Sequence, residues 1–297
     1  MKSDIDSTKT ISVKSWLTLI LLSFIWGTSY ILIKKGVEVY TPTQVACMRL
    51  SISAIAFIPF LTSLWKKVDW SKWGYLLLVG VTGTAIPSFM FPIAQTEISS
   101  SVAGILNSLT PLFTLVLGIV LFKSSFSWAK LAGVVIGLMG AALLIILGNR
   151  LGLEGNMWYS LFVVIGCFCY ATSSNTVGAY LREMNSVTIS AVSFCMVGIP
   201  AMIFLLSSSE FTTTLSQHPK GWEALGYVII LALASTVFAS ILFFKLIHDT
   251  NPLFSSTVSY LVPAVAVIWG FVDGEVINVM HFMGMILILI GVYLSRK

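Results

Sequence analysis

The sequence predicts an all-α integral membrane protein whose ten transmembrane helices form two inverted five-helix repeats. Composition is the first reason. Hydrophobic residues make up 57% of the 297 positions and charged residues only 10%, with a mean hydropathy of +0.95. A soluble domain has about a quarter of its residues charged, so lipid must cover most of this surface. The second reason is an internal repeat, described below.

Intervals without charged residues mark the predicted spans. Nine of them lie at 16–33, 73–96, 98–122, 131–149, 155–181, 184–209, 224–244, 250–272 and 276–295. A tenth, 39–65, qualifies if Arg49 is tolerated inside it. Each interval suits the roughly 17–25 residues that cross a bilayer as a helix. None shows the alternating pattern of a membrane barrel, so helices are the expected spanning elements.

Basic residues predict the orientation. Residues 1–15 are polar and are expected to form a cytoplasmic tail, and the first apolar run lacks the cleavage site of a signal peptide. With both termini in the cytoplasm, twelve of the 17 Lys and Arg residues lie inside, four lie outside and Arg49 lies within a span. The net charge of +5 then reflects topology in the cell (inner) membrane. It does not require a nucleic-acid partner.

The repeat relates residues 74–123 to residues 226–275 at a constant offset of 152. The matched pairs include Thr84 with Thr236, Ser88 with Ser240, Phe91 with Phe243, Glu97 with Asp249, Pro111 with Pro263 and Gly118 with Gly270. Five helices per half is an odd number, so the second half must enter the membrane from the opposite side. Such inverted halves can exchange conformations around a midplane site, which is the basis of alternating access.

The sequence resembles the EamA domain of the drug/metabolite transporter superfamily over about 16–295. The runs "SSSVAGILNSLTPLFTLVLGIVLF" and "LFSSTVSYLVPAVAVIWGFVDGEVINV" carry the resemblance, together with "SFIWGTSYILIKKG" and "RLSISAIAF". It implies two EamA-like five-helix repeats at 16–149 and 155–295, with the fifth and tenth helices peripheral. Lys123-Ser124-Ser125 departs from the family, in which an acidic residue usually follows the fourth helix, whereas Glu275 keeps that acid in the second copy.

Small and polar residues form one stripe on the predicted fourth helix. They are Gly104, Asn107, Pro111, Thr114 and Gly118, and the ninth helix repeats them as Ser256, Ser259, Pro263, Ala266 and Gly270. The stripe could line a cavity or allow close helix packing. Pro111 and Pro263 predict paired bends, with Pro87 as a further weak point, and such bends either gate the cavity or only shape it. Gly133, Gly137 and Gly140 are interpreted as intramolecular packing, with dimerisation as the alternative.

Arg49 is the one full charge within a predicted span. An arginine at a helix centre costs about 2.5–3.5 kcal/mol on insertion scales, so it needs a partner or access to water. It is either a structural anchor near the outer surface or a counter-charge for an anionic group such as a substrate carboxylate.

Aromatic and amide side chains complete the predicted substrate-binding set. The set is Trp26, Tyr30, Arg49, Phe91, Asn107, Tyr170, Asn175, Phe243 and Tyr260. Such a pocket would suit amino acids, amines or mixed apolar solutes. Trp16, Trp65, Trp70 and Trp73 are interpreted instead as part of the interfacial aromatic belt.

An enzyme is the least favoured interpretation, because the spans contain no clustered nucleophiles, carboxylates or metal ligands. No catalytic residue, cofactor or metal site is predicted, and His218 with Glu223 is only a weak acid/base pair. No Asp or Glu lies within a span core, so facilitated diffusion or exchange stands beside proton coupling.

The sequence therefore predicts a secondary transporter that exports small metabolites, with amino acids as one candidate class. The alternatives are a multidrug or amine exporter and an organic-anion exchanger. The expected partners are a small-molecule substrate and the lipid bilayer, and the protein is expected to be a monomer or a homodimer. The sequence leaves substrate, direction and coupling open.

Overall fold

The computed structural model describes residues 12–122, 127–151 and 155–295, and within these ranges the chain is helical with no β-strand. Most of the predicted tail and Lys123-Ser124-Ser125 lie outside the described residues. The first half contains α1 (Val13–Val37), α2 (Pro42–Leu64), α3 (Trp73–Gly80), α4 (Ile86–Ala94), α5 (Ser100–Asn107), α6 (Thr110–Phe122) and α7 (Trp128–Leu151). Two 3₁₀ turns, Trp65–Lys67 and Trp70–Lys72, join α2 to α3.

The second half repeats this order with one added helix. It contains α8 (Ser160–Tyr180), α9 (Ser186–Ser208), α10 (Phe211–Gln217), α11 (Gly221–Ile230), α12 (Ala239–Asp249), α13 (Pro252–Ser256), α14 (Val262–Val272) and α15 (Val279–Ser295). A 3₁₀ turn at Met157–Tyr159 precedes α8. The short helix α10 lies within the polar, Ser- and Thr-rich connection at 207–223.

Eight helical stretches among the described residues are long and apolar enough to cross a membrane. They are Val13–Val37, Pro42–Lys67, Trp70–Ala94, Ser100–Leu121, Met157–Tyr180, Ser186–Ser208, Gly221–Asp249 and Pro252–Val272. Two shorter apolar helices lie at Leu131–Ile146 and Val279–Gly291. The protein is therefore a multi-pass membrane protein, and each predicted span interval contains a helix.

Several helices begin at side-chain caps that the sequence provides. The Thr41 hydroxyl accepts a hydrogen bond from the Gln44 amide, and the Gln44 side chain returns one to the Thr41 amide, which forms a capping box. Asn185 and Asn251 cap α9 and α13 in the same general way. These caps satisfy backbone N–H groups at the helix starts and define where each helix begins.

The helices of the third and eighth predicted spans are distorted at corresponding positions. A π-helical segment, Val81–Ala85, separates α3 from α4, and another, Leu231–Phe238, separates α11 from α12. At the offset of 152, the first segment falls inside the second. Nothing in residue type marks a π-helical turn, so the sequence did not predict these segments. They often occur at functional sites.

The fourth and ninth predicted spans are also interrupted at equivalent points. Ser108 and Leu109 separate α5 from α6, and the 3₁₀ turn Thr257–Tyr260 with Leu261 separates α13 from α14. Pro111 and Pro263 are each the second residue of the following helix, where a missing N–H costs little. The helices are therefore interrupted just before the prolines, and the bends themselves stay a prediction.

Helices α7 and α15 pack closely against each other through glycines. A Cβ added to Gly140 would lie 2.8 Å from Leu287 Cβ, and one added to Gly291 would lie 2.5 Å from the Gly133 carbonyl oxygen. This contact supports the intramolecular interpretation of the glycine spacing in α7.

Candidate functional site

A narrow cavity lies between the two halves of the chain. It encloses about 80 Å³ that the centres of water-sized spheres can occupy, which is room for a few waters and less than a metabolite needs. Its lining consists of Trp26, Ser29, Tyr30, Ile33, Arg49, Gly83, Thr84, Phe91, Asn107, Thr110, Tyr170, Ser173, Ser174, Phe194, Ser235, Thr236, Ser240, Phe243, Phe244, Ser256, Val258 and Ser259. Aromatic rings, hydroxyl groups and a single cation thus share one enclosed space.

Aromatic rings from both halves form the walls. The Trp26 ring meets Phe243 edge to face at 5.0 Å between centroids, and its Nε1 donates to the Ser235 carbonyl oxygen at 2.9 Å. Phe91 lies between Tyr30 and Tyr170, 5.8 Å from each centroid. These faces would accept an apolar or aromatic solute body, and they also attract cations.

Arg49 brings a buried positive charge to the cavity. Its side chain comes from α2 and is 8% exposed, and its Nε donates to Thr236 Oγ1 at 2.6 Å. The Tyr170 hydroxyl oxygen lies within reach of a hydrogen bond from the guanidinium, and the Tyr30 phenol lies close enough to interact with its charge. In the described part of the chain Arg49 forms no ion pair with a carboxylate. A buried guanidinium with neutral partners retains the capacity to bind an anion.

Hydroxyl and amide groups gather where α5 ends. Asn107 Nδ2 donates to Ser259 Oγ at 3.4 Å, and Ser108 Oγ donates to the Ser259 carbonyl oxygen at 3.0 Å. Thr110 Oγ1 donates to the Asn107 carbonyl oxygen at 2.9 Å. The interrupted helices of the two halves therefore contact each other beside the cavity through polar groups.

The cavity lining follows the internal repeat. Phe91 and Phe243, Thr84 and Thr236, and Asn107 and Ser259 are pairs at the offset of 152, and both members of each pair line the cavity. The hydrogen bond of Arg49 does not follow the repeat. It is made to Thr236 and not to Thr84, the corresponding residue of the first half.

Seven of the nine predicted binding residues surround this cavity, and two do not. Trp26, Tyr30, Arg49, Phe91, Asn107, Tyr170 and Phe243 line it. Asn175 Nδ2 instead donates to the carbonyl oxygens of Thr114 and Ala171, at 3.0 Å each, so its amide joins α8 to α6. Tyr260 packs against the apolar core around α5.

Phe194, Phe244 and most of the serine hydroxyls in the lining were not predicted from the sequence. Ser29, Ser173 and Ser174 lie on α1 and α8 next to predicted aromatic residues, one turn away along the helix. A helical projection from Trp26 and Tyr170 would have found them, since residues three or four apart share a face. Phe194 had no comparable signal in an apolar helix.

A separate charged cluster joins the end of α1 to the residues that follow α14. Lys34 Nζ lies 2.7 Å from Asp273 Oδ2 and 3.0 Å from Glu275 Oε1, and Lys35 Nζ lies 2.8 Å from Asp273 Oδ1. Glu275 also accepts hydrogen bonds from the amides of Ser100 and Ser101 and from the Ser101 hydroxyl. Its carboxylate thereby caps α5.

Hydrogen bonding keeps both carboxyl groups of this cluster ionised. Burial by itself raises the pKa of Glu275, but hydrogen bonds from Ser101, Lys34 and the Ser100 amide outweigh it, and the pKa lies below its ordinary value. Burial likewise raises the pKa of Asp273, and hydrogen bonds from Lys34 and Lys35 reverse the shift. This cluster is a satisfied structural network.

Neither a metal centre nor an acid/base pair emerges from the described residues. They contain no group of three or more His, Cys, Asp and Glu side chains that could hold a metal ion. His218 Nδ1 accepts from the Lys220 amide, whereas Glu223 accepts from the Tyr227 hydroxyl. The two members of the weak pair are thus engaged in separate local bonds.

Two family matches cover nearly the whole chain. The EamA-like transporter family matches residues 14–146 and again residues 157–296. This chain belongs to that family. Its two copies give the two-repeat architecture that the offset of 152 predicted.

Relatives of similar length carry transporter names. The uncharacterized inner membrane transporter YedA of Escherichia coli (strain K12) is 28% identical over 281 residues, covering 93% of this chain and 88% of that protein. A probable terminal-alkyne amino-acid exporter of Streptantibioticus cattleyicolor is 24% identical over 293 residues, covering 94% of this chain and 92% of that protein. Family and relatives indicate a membrane transporter and not an enzyme.

A solved crystal structure shares the fold. It is 16% identical to this chain, aligns with a TM-score of 0.65, and covers 96% of this chain and 97% of its own. At that identity the likeness concerns the fold alone.

Proposed function

We propose that this protein is a secondary transporter that exports small metabolites, with amino acids as the leading class, by alternating access through the central cavity. The observation that carries the proposal is the cavity between the halves, whose lining includes the repeat-related pairs Phe91 and Phe243, Thr84 and Thr236, and Asn107 and Ser259. A midplane site between repeats is the usual arrangement in transporters of this kind.

Ten crossings in two inverted repeats, with both termini in the cytoplasm, form part of the proposal. Helix distortions and interruptions that recur at the offset of 152 support equivalent halves. The short helices at Leu131–Ile146 and Val279–Gly291 would be the fifth and tenth crossings. Basic residues concentrated on one side support the orientation.

The chemistry of the cavity supports a substrate with a carboxylate. Arg49 supplies a cation, the hydroxyls supply neutral donors and acceptors, and the aromatic rings accept an apolar body. The name of the Streptantibioticus cattleyicolor relative, an amino-acid exporter, supports amino acids and an outward direction. The unpaired guanidinium equally favours a second candidate, exchange of organic anions. It disfavours a cationic amine, which would meet Arg49 without a compensating acid.

Exchange or facilitated diffusion fits this lining better than proton coupling. The lining residues, all of which belong to the described part of the chain, include no Asp or Glu that could carry a proton. Glu97 lies in the turn after α4, outside the cavity lining, where its carboxylate accepts a hydrogen bond from the Asn156 amide at 2.8 Å.

Counterflow in proteoliposomes tests the proposal. Vesicles containing the purified full chain are loaded with an unlabelled solute and diluted into the labelled one, across a panel of amino acids, amines and organic acids. The experiment is run with and without a pH gradient. We expect saturable exchange of amino acids or organic acids that needs no gradient. Folded protein that exchanges no member of the panel would contradict the proposal.

A further inference from the structure

The contact between Arg49 and Thr236 joins the two halves at the cavity. Arg49 lies in the first half and Thr236 in the second, and the Nε–Oγ1 distance is 2.6 Å. Both side chains are buried, at 8% and 3% exposure. A guanidinium has five N–H donors in a planar fork. Once Nε is bound to Thr236, the Nη groups remain, and the Tyr170 hydroxyl lies within hydrogen-bonding reach of the guanidinium. The Nη N–H groups that Tyr170 does not occupy are available to a ligand.

Thr236 is well placed to hold the fork in one orientation. Its hydroxyl donates to the Leu231 carbonyl oxygen at 3.3 Å, across the wide turn of the π-helical segment Leu231–Phe238. Because that proton is committed, the oxygen presents its lone pairs to Arg49. The threonine therefore acts on the guanidinium as an acceptor, and the π-helical turn sets its position.

The ligand that best matches the free edge of a fixed guanidinium is a carboxylate. Two parallel N–H···O bonds to one carboxylate give both strength and geometric selectivity. A buried arginine without an acidic partner is costly, and an incoming carboxylate would remove that cost. The neighbouring rings of Tyr30, Phe91 and Tyr170 suit the apolar body of such a solute.

We infer that Arg49 binds the carboxylate of the transported solute through its Nη groups, and that Thr236 is the residue that positions it. The substrate class is then small organic carboxylates with an apolar or aromatic body, including amino acids. This inference rests on the proposed transport function for its physiological meaning, but binding can be measured apart from transport.

Thr84 is a matched comparison for Thr236. It occupies the corresponding repeat position, lies in the other π-helical segment, is 4% exposed and lines the same cavity. It forms no hydrogen bond with Arg49. Thr84→Val therefore removes a lining hydroxyl of the same kind and leaves the guanidinium contact in place.

The test measures thermal stabilisation of the purified full chain by acids and by their carboxamides. Suitable pairs are 3-phenylpropionate with 3-phenylpropionamide, and N-acetylated phenylalanine and leucine with their amides, so that each pair differs in the carboxylate alone. We expect at least one acid to raise the melting temperature while its amide does not. In Arg49→Gln the acid and its amide should behave alike.

Thr236→Val should raise the half-saturating concentration of the acid about tenfold, which is the effect of losing one hydrogen bond to a charged group. Thr236→Ser should restore binding, and Thr84→Val should leave the selectivity for the acid over its amide unchanged. Equal stabilisation by acid and amide, no stabilisation by any acid, or equal effects of the two valine variants on acid selectivity would overturn the inference. Selective binding of an acid without any counterflow would leave the site intact and refute the transport proposal instead.

Discussion

Arg49 and Lys34 are both basic residues within helices of the first half, yet their surroundings differ. Lys34 pairs with two carboxylates, Asp273 and Glu275, and its side chain is 27% exposed. Arg49 is 8% exposed, and its partners are the neutral hydroxyls of Thr236 and Tyr170. The lysine belongs to a completed network, whereas the arginine lines a cavity with its charge uncompensated.

The difference teaches how to separate a structural charge from a functional one in a membrane protein. A charge that already has ionic partners contributes to helix packing, and a ligand would have to displace those partners. A buried charge without them is kept despite an unfavourable free energy of burial. This contrast is the reason for the proposal that Arg49 binds substrate, and for the expectation that the Lys34 cluster stabilises the fold.

The largest expected effect on stability comes from removing the carboxylate of Glu275. Glu275→Ala leaves Lys34 with one partner and exposes the start of α5, so the free energy of unfolding should fall by about 2 kcal/mol. Denaturant titration in detergent micelles measures it. Glu38→Gln is the control, because Glu38 pairs with Lys35 at an exposed site and should matter by less than about 0.5 kcal/mol. Equal losses in the two variants would show that the cluster adds little.

Among substitutions of uncharged residues, those of Trp26 and Asn107 should lower transport most. Alanine at either position should lower flux about tenfold, which corresponds to about 1.4 kcal/mol of lost binding, while the amount of folded protein stays constant. Asn175→Ala is the matched amide control, since its amide bonds to backbone carbonyls outside the cavity lining. That variant should lose about 1 kcal/mol of stability and keep its KM. Parallel losses of abundance and flux in the Trp26 and Asn107 variants would assign both residues to packing.

A smaller effect concerns pH. Folding holds the pKa of Glu275 and Asp273 below their ordinary values of 4.5 and 3.8. Their contribution to stability is thus present above the ordinary pKa and is lost as the pH falls through the lower folded pKa. The melting temperature of the wild-type protein should fall with acidification below this range, and the fall should be shallower in a variant with Glu275→Gln and Asp273→Asn. A variant that falls as steeply as the wild type would place the acid sensitivity elsewhere.

The sequence predicted the architecture well because charge is costly in lipid. Intervals without charge mark the spans, and the offset of 152 locates corresponding features such as Pro111 and Pro263. The cavity was predicted in part for the same reason. Arg49 and Asn107 stand out as polar residues in apolar segments, and Trp26 and Tyr170 line the same cavity from other helices.

The remaining features depend on contacts between distant segments. The cap on α5 joins Glu275 to Ser100 and Ser101, which precede it by 175 and 174 positions in the chain. No local sequence pattern predicts such a contact. The π-helical turn that positions Thr236 follows from no residue pattern in Leu231–Phe238. Asn175 looks like a pocket residue by composition, but its amide bonds to the backbone of α6, which only the arrangement of helices decides.

The comparison of Arg49→Gln with Lys34→Gln tests the account most directly. For each variant, KM and maximal exchange of an acidic substrate are measured in proteoliposomes at equal folded protein, and the melting temperature is measured in micelles. We predict that Arg49→Gln raises KM for the acid strongly and keeps its melting temperature, whereas Lys34→Gln lowers the melting temperature and keeps its KM. The reverse pattern would contradict the assignment of binding to the cavity and of stability to the charged cluster.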